Sequence, residues 1–163
     1  MNKTVKEMPN LKKGEKYRWH KTLRFFAVIL WGLFLGIHTW TENLEALLQY
    51  QTIKLEWHSS PDFLQFLNFY DIRLIHTDWF WIKLGHFTGF AIMDVLLYIW
   101  LENHKQSILF SVAFAFITEV LQLFFGRDGR LYDLLIDSFG VLTVYYLLKK
   151  SAILQKIIRH LQS

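Results

Sequence analysis

Cysteine is absent from this 163-residue sequence, which excludes a disulfide framework and thiolate ligands for a metal. Charged residues are also scarce. They make up 20% of the chain, against about 25% in an average soluble domain. Hydrophobic residues account for 53% and aromatic residues for 18%. Basic residues crowd toward both ends, and long apolar runs fill the stretches between them. This segregation indicates a membrane protein and argues against a soluble domain.

The sequence favours neither a nucleic-acid-binding protein nor a protein with a cleaved signal peptide. The net charge of +4 comes largely from the termini, where membrane topology and anionic headgroups explain basic residues. We therefore expect no nucleic-acid partner, and no cofactor is predicted. No small-x-small cleavage site follows the first apolar run, so we expect a retained membrane helix there rather than a cleaved signal peptide.

A membrane-crossing helix needs roughly 20 predominantly apolar residues. Four segments meet this requirement, at about 23–40, 79–101, 107–125 and 131–148. The predicted fold is all-α. It is a polytopic membrane helix bundle with about four transmembrane helices and short amphipathic interfacial helices. We predict one domain over 1–163, with its core at 79–148.

The connection between the first two spans, 41–78, predicts two short amphipathic helices on the bilayer surface. Leucines recur at helical spacing in 44–55. The tripeptide Ser60-Pro61-Asp62 then predicts a helix start with Pro61 at the first helical position. Apolar and polar residues also alternate at helical spacing in the tail, 149–163, which predicts a third amphipathic helix.

Orientation follows from the distribution of basic residues. With four spans, both termini lie on one side, together with thirteen lysines and arginines; the other side has four. We therefore predict a multi-pass membrane protein with the basic arm 1–22 and the tail in the cytoplasm. The connection 41–78 and the short loop 126–130 face outward.

Each of the last three predicted spans carries one polar stripe, and by depth these stripes converge at the outer face. Polar residues in a span usually face the bundle interior and act together. Asp94, about 16 Å deeper than Lys83 at 1.5 Å per residue, is the exception. The candidate site residues are Lys83, His86, Glu119, Gln122, Arg127, Arg130, Asp133 and Asp137.

The cluster has several interpretations. It is either a charge-compensated scaffold holding three helices in register or an outward-facing pocket for a headgroup or glycolipid. His86 and Glu119 are candidates for an acid–base pair, so enzyme activity stays open. A metal site is not predicted, because Lys83 and two arginines balance the carboxylates and only one histidine is well placed. A proton or ion pathway through Asp94 is the remaining alternative.

The order and spacing of these motifs resemble the VanZ-like family of bacterial membrane proteins over about 83–143. The motifs are Lys83-x-x-His86, Glu119-x-x-Gln122, the Arg127–Arg130 turn and Asp133-x-x-x-Asp137-x-x-Gly140. Two positions depart from the family pattern: Asp137, where the family commonly has Asn, and Thr143, near which many relatives carry a further glycine.

The resemblance implies a protein of the bacterial cytoplasmic membrane with a role in the cell envelope. The namesake of the family is linked to low-level resistance to teicoplanin, a lipoglycopeptide that acts on cell-wall precursors outside the membrane. We therefore expect membrane lipids as partners, together with a lipid-linked precursor or a lipoglycopeptide antibiotic. The alternative is a membrane-embedded enzyme acting on a lipid-linked cell-wall precursor.

Overall fold

The computed structural model describes residues 8–40, 57–70 and 77–162, with side chains described in 19–40, 57–70 and 80–162. Within these ranges the chain forms five α-helices and no β-strand, which confirms the all-α prediction. The α-helices are α1 (Met8–Trp40), α2 (Thr77–Leu101), α3 (His104–Phe124), α4 (Leu131–Lys150) and α5 (Ala152–Gln162). A short 3-10 helix covers Phe63–Leu67.

The four predicted membrane spans are confirmed. Helices α1 to α4 each contain a segment long and apolar enough to cross a membrane, and these are Trp19–Trp40, Phe80–Leu101, His104–Phe124 and Leu131–Lys150. The third span begins earlier than predicted, because Asn103 caps it. The Asn103 side chain accepts hydrogen bonds from the backbone N–H groups of Lys105 and Gln106, and such a cap starts a helix at the next residue.

The bundle buries polar side chains beside an apolar core and has an apolar exterior. Asp94, Glu119 and Asp137 are fully buried, whereas many large apolar side chains of α1, α3 and α4 point outward. Examples of these outward side chains are Leu30, Leu33, Phe110, Phe116, Leu135 and Phe139. Apolar side chains on the exterior can contact the acyl chains of lipids, whereas polar side chains within a membrane face the bundle interior, where they form hydrogen bonds and ion pairs. This distribution is that of a membrane protein.

Two contacts establish which helix ends lie together. Trp40 at the end of α1 stacks on Phe125, which follows α3, with ring centroids 5.7 Å apart. At the opposite end of the bundle, Arg24 of α1 lies 3.3 Å from the carboxylate of Glu102, which follows α2. The ends of α1 and α3 therefore lie beside the starts of α2 and α4. We call this end of the bundle the site end.

The interfacial helices partly match their predictions. The helix predicted after Ser60 is a 3-10 helix of only five residues, Phe63–Leu67. The prediction that Pro61 occupies its first position was wrong. Asp62 caps the 3-10 helix, because its carboxylate accepts the backbone N–H of Leu64 at 3.0 Å, so Pro61 lies outside. The predicted helix in 44–55 lies outside the described residues. The predicted tail helix is α5, which buries Ile158 against Ile99 and Leu148.

Candidate functional site

A close approach of α2 and α4 at Gly140 positions the site. A Cβ atom at position 140 would overlap the carbonyl oxygen of Phe87, so a larger residue would force the helices apart. Small residues permit such approaches between membrane helices. Phe87 directly follows His86 in α2, and Asp137 lies about one turn before Gly140 in α4. The contact therefore brings His86 and Asp137 face to face.

Lys83 and Asp133 form a buried ion pair between α2 and α4. The Lys83 Nζ atom lies 2.6 Å from Asp133 Oδ1 and 2.7 Å from Oδ2. The two side chains are 14% and 4% exposed, respectively. Nζ also lies 4.9 Å from the centre of the Tyr132 ring, a favourable position for a cation. Each charge is thus compensated where both are largely removed from water.

His86 lies between two buried carboxylates. Its Nδ1 atom is 3.3 Å from Oδ1 of Asp137 in α4 and 3.9 Å from Oε1 of Glu119 in α3. Both carboxylates are fully buried. Three helices therefore meet at one imidazole, and each of the three residues offers a possible metal ligand within 4.8 Å of the others.

Glu119 is held by donors from both sides of the short turn that joins α3 to α4. Gln122 Nε2 donates to Glu119 Oε1 at 3.3 Å, and the backbone N–H of Arg130 donates to Oε2 at 2.9 Å. The turn itself follows the prediction of a tight connection, and Gly126 adopts a left-handed φ of 69° within it. These contacts fix the orientation of the Glu119 carboxylate.

The guanidinium of Arg130 joins the turn to the connection. Its Nη2 atom lies 3.0 Å from Asp128 Oδ2. Its Nη1 atom donates to the backbone carbonyls of Gln65 and Asn68, each at 3.4 Å.

The described part of the connection lies over the site end. The backbone N–H of His58 donates to the carbonyl oxygen of Phe124 at 2.7 Å. Trp57 stacks on the Phe124 ring with centroids 5.0 Å apart, and Phe63 meets the same ring edge-on. Residues 57–70 therefore form a cover over the turn between α3 and α4.

A groove of about 410 Å³ lies between α1 and α2 and ends at the polar cluster. Its walls are largely aromatic and aliphatic, and the half-exposed Phe34 and the exposed Trp81 leave it open on the lipid-facing side. The indole N–H of Trp31 donates to the carbonyl oxygen of Gly89 at 2.9 Å and ties the two helices together. The polar residues that line it are His38, Thr39, His86, Thr88 and Arg127.

Arg127 supplies the positive charge of the groove. Its side chain is half-buried. Burial lowers the pKa of the guanidinium, while the negative charges of Glu119, Asp128 and Asp133 raise it. Because arginine remains protonated at neutral pH even after such changes, the groove ends beside a positive charge in a poorly hydrated position.

Asp94 does not join the cluster. It is fully buried in α2, where the hydroxyl of Ser111 donates to its Oδ1 atom at 3.3 Å. Phe90, also fully buried, lies one turn away from both Asp94 and His86. An apolar ring therefore separates Asp94 from the cluster, which weighs against a continuous polar pathway among the described residues.

The eight candidate residues all lie at the site end, but sequence analysis missed part of the surroundings. Gln65 and Asn68 hold Arg130, and Trp31 forms one wall of the groove. Spacing within a helix could not have identified these contacts, because they join residues far apart in the sequence. The sequence signal for the Arg130 contacts was the pair of amide side chains, Gln65 and Asn68, next to the apolar residues of 63–67.

Comparison with known proteins places this architecture in a family. A model of the VanZ/LLP1 family matches residues 22–155, which include all of the first span except its first three residues, the other three spans and every candidate site residue. The protein named "Uncharacterized membrane protein YwnJ" of Bacillus subtilis (strain 168) is 35% identical over 122 residues, covering 74% of this chain and 87% of that protein. No solved structure matches the chain. The chain belongs to the VanZ/LLP1 family of membrane proteins.

Proposed function

We propose that this protein binds a lipid or a lipid-anchored ligand at the outer face of the bacterial cytoplasmic membrane. An acyl chain occupies the groove between α1 and α2, and an anionic headgroup contacts Arg127 and His86. The observation that carries this proposal is the continuity of the groove with the polar cluster. A ligand with both an apolar chain and a negative group fits such a site best.

The dimensions and chemistry of the groove suit an amphiphilic ligand. Its volume of about 410 Å³ falls within the range of about 300–1,000 Å³ found for small-molecule sites. Aromatic walls favour an apolar chain, and an arginine beside a low-dielectric pocket favours a phosphate or carboxylate, which it can contact in bidentate fashion.

The outer face is proposed from the positive-inside rule. Lys149 and Lys150 lie at the end of α4, opposite the site end, and most of the remaining basic residues flank the same side of the membrane. Cytoplasmic segments of membrane proteins carry this excess. The site end, with the turn 125–130 and its cover 57–70, then faces outward, where lipid-linked wall precursors and lipoglycopeptides meet the membrane.

Antibiotic susceptibility tests the proposal. A Gram-positive host expresses wild type, Glu119→Ala, Gly85→Phe or an empty vector, and growth is measured in teicoplanin and in vancomycin, which has no acyl chain. Gly85 lines the groove, and a Cβ atom there meets nothing within 4 Å, so Gly85→Phe adds an aromatic ring beside the groove at a position where the first atom of the side chain has space. Ala113→Phe is the matched control, because Ala113 is exposed on α3 away from the groove.

We expect wild type and Ala113→Phe to raise resistance to teicoplanin but not to vancomycin, and both Glu119→Ala and Gly85→Phe to lose this effect. Membrane abundance of each variant is measured by immunoblot. Equal teicoplanin resistance in Gly85→Phe and wild type would exclude the groove as the ligand site. No effect of wild type on either antibiotic, with the protein present, would reject a role with lipoglycopeptides.

A further inference from the structure

We propose that His86, Glu119 and Asp137 bind one divalent transition-metal ion. The three side chains come from α2, α3 and α4, and each offers a ligand atom within 4.8 Å of the other two. An ion at this position would connect the three helices beside the groove, whether or not a lipid occupies the groove.

The distances fit a shared ion. The Nδ1 atom of His86 lies 3.3 Å from Asp137 Oδ1 and 3.9 Å from Glu119 Oε1. Two ligand atoms, each about 2.1 Å from a metal and separated by a tetrahedral angle, lie about 3.4 Å apart. The separation of His86 and Asp137 already matches this spacing, and the Glu119 carboxylate would have to move closer to His86 for all three atoms to coordinate one ion.

Asp137 provides independent support for a cation at this position. It is fully buried, and among the described residues neither of its carboxylate oxygens accepts a hydrogen bond. The contact from His86 Nδ1 to Oδ1, at 3.3 Å, is long for a charge-assisted hydrogen bond. A buried carboxylate without close hydrogen-bond donors costs free energy, and a cation bound between Asp137 and His86 would reduce that cost.

Two of the three positive charges that argued against a metal, Lys83 and Arg130, form ion pairs with carboxylates outside the proposed ligand set, whereas Arg127 interacts electrostatically with Glu119, one of the proposed ligands. Sequence analysis assumed that Lys83 and the two arginines balance the carboxylates of the cluster. In the structure, the Lys83 ammonium lies against Asp133, and the Arg130 guanidinium lies against Asp128. Neither of these contacts compensates Asp137.

The donor set selects the class of ion. One imidazole nitrogen with two carboxylate oxygens suits Zn²⁺ or Mn²⁺, because imidazole is a poor ligand for Mg²⁺ and Ca²⁺. With three protein ligands, at least one coordination position stays open, as in catalytic rather than structural metal sites. His86 also lines the groove, which provides a path for the ion.

Metal binding by the purified full-length chain tests the inference. The protein in detergent is equilibrated with Zn²⁺, washed, and its metal content is measured by mass spectrometry; Mn²⁺ binding is followed by loss of the signal of aqueous Mn²⁺ in electron paramagnetic resonance. The variants are Asp137→Asn and His86→Gln. His160→Gln is the control, because His160 is an exposed histidine on α5.

We expect wild type and His160→Gln to bind about one equivalent of metal. Both cluster variants should lose at least tenfold in metal affinity, because substitutions of residues that only support the ligands already lower affinity by about 10–100-fold. Metal should also raise the thermal unfolding midpoint of wild type but not of Asp137→Asn. Wild type that binds neither ion at millimolar concentration would overturn the inference. Unchanged metal affinity in either cluster variant would also overturn the inference, because the ion would then bind at another site. Antibiotic susceptibility is a separate readout, so failure here leaves the proposed function standing.

Discussion

Lys83 and Asp133 show how charged side chains are accommodated inside this bundle. Each would cost a few kcal/mol if it entered the membrane alone. As a pair, with Nζ within 2.7 Å of both carboxylate oxygens, they compensate each other. Removing one partner of a buried pair leaves an uncompensated charge, which costs more than the pair itself contributes.

Lys83→Met should therefore destabilise the protein by about 3–5 kcal/mol, because Asp133 is left buried and unpaired. The measurement is the free energy of unfolding in detergent. Lys105→Met, at an exposed position near the opposite end of the bundle, should change it by less than about 0.5 kcal/mol.

The double variant Lys83→Met/Asp133→Leu should recover most of the stability lost in Lys83→Met, since it removes both charges and retains apolar volume. Equal destabilisation of the single and double variants would mean that packing, and not charge compensation, explains the loss.

At the scale of the helices, the contact between α2 and α4 at Gly140 determines which polar groups meet. The helix backbones are close enough there that Phe87 leaves no space for a Cβ atom. The distances from His86 to Asp137 and from Lys83 to Asp133 both depend on this separation, because all four residues lie on the facing sides of these two helices.

Gly140→Ala should consequently lower the free energy of unfolding by about 1–3 kcal/mol, the usual cost of overpacking. Gly85→Ala is the matched control, because a Cβ atom there meets nothing within 4 Å. It should be neutral or stabilising by up to about 1 kcal/mol through helix propensity. The measurement is the thermal unfolding midpoint of both variants in the same detergent. Equal midpoints would show that the close approach of α2 and α4 does not affect stability.

At the scale of the whole molecule, the sequence predicted the spans and the polar stripes because both follow from local rules. Apolar length defines a span, and residues three or four apart share a helix face, as Glu119 with Gln122 and Asp133 with Asp137 do. The pairing of particular residues across helices was not predictable. It depends on helix separations set by contacts such as Gly140 with Phe87, and on the fold of a connection whose Gln65 and Asn68 hold Arg130.

The groove was likewise absent from the predictions. It is a gap between α1 and α2, and its size depends on how Trp31 and the surrounding aromatic side chains pack. Periodicity describes the faces of one helix at a time, so it cannot reveal a space left between two helices. The polar end of the groove, in contrast, includes two of the candidate residues identified from the sequence, His86 and Arg127.

The proposed function requires the site end to face outward, and cysteine accessibility measures this orientation. The chain has no cysteine of its own, so Asp128→Cys and Lys105→Cys each report a single exposed position, one at the site end and one near the opposite end. A membrane-impermeant maleimide applied to intact cells should label Asp128→Cys, while Lys105→Cys should be labelled only after permeabilisation. The reverse result would move the groove opening and the cluster to the cytoplasmic side and contradict a role at the outer face.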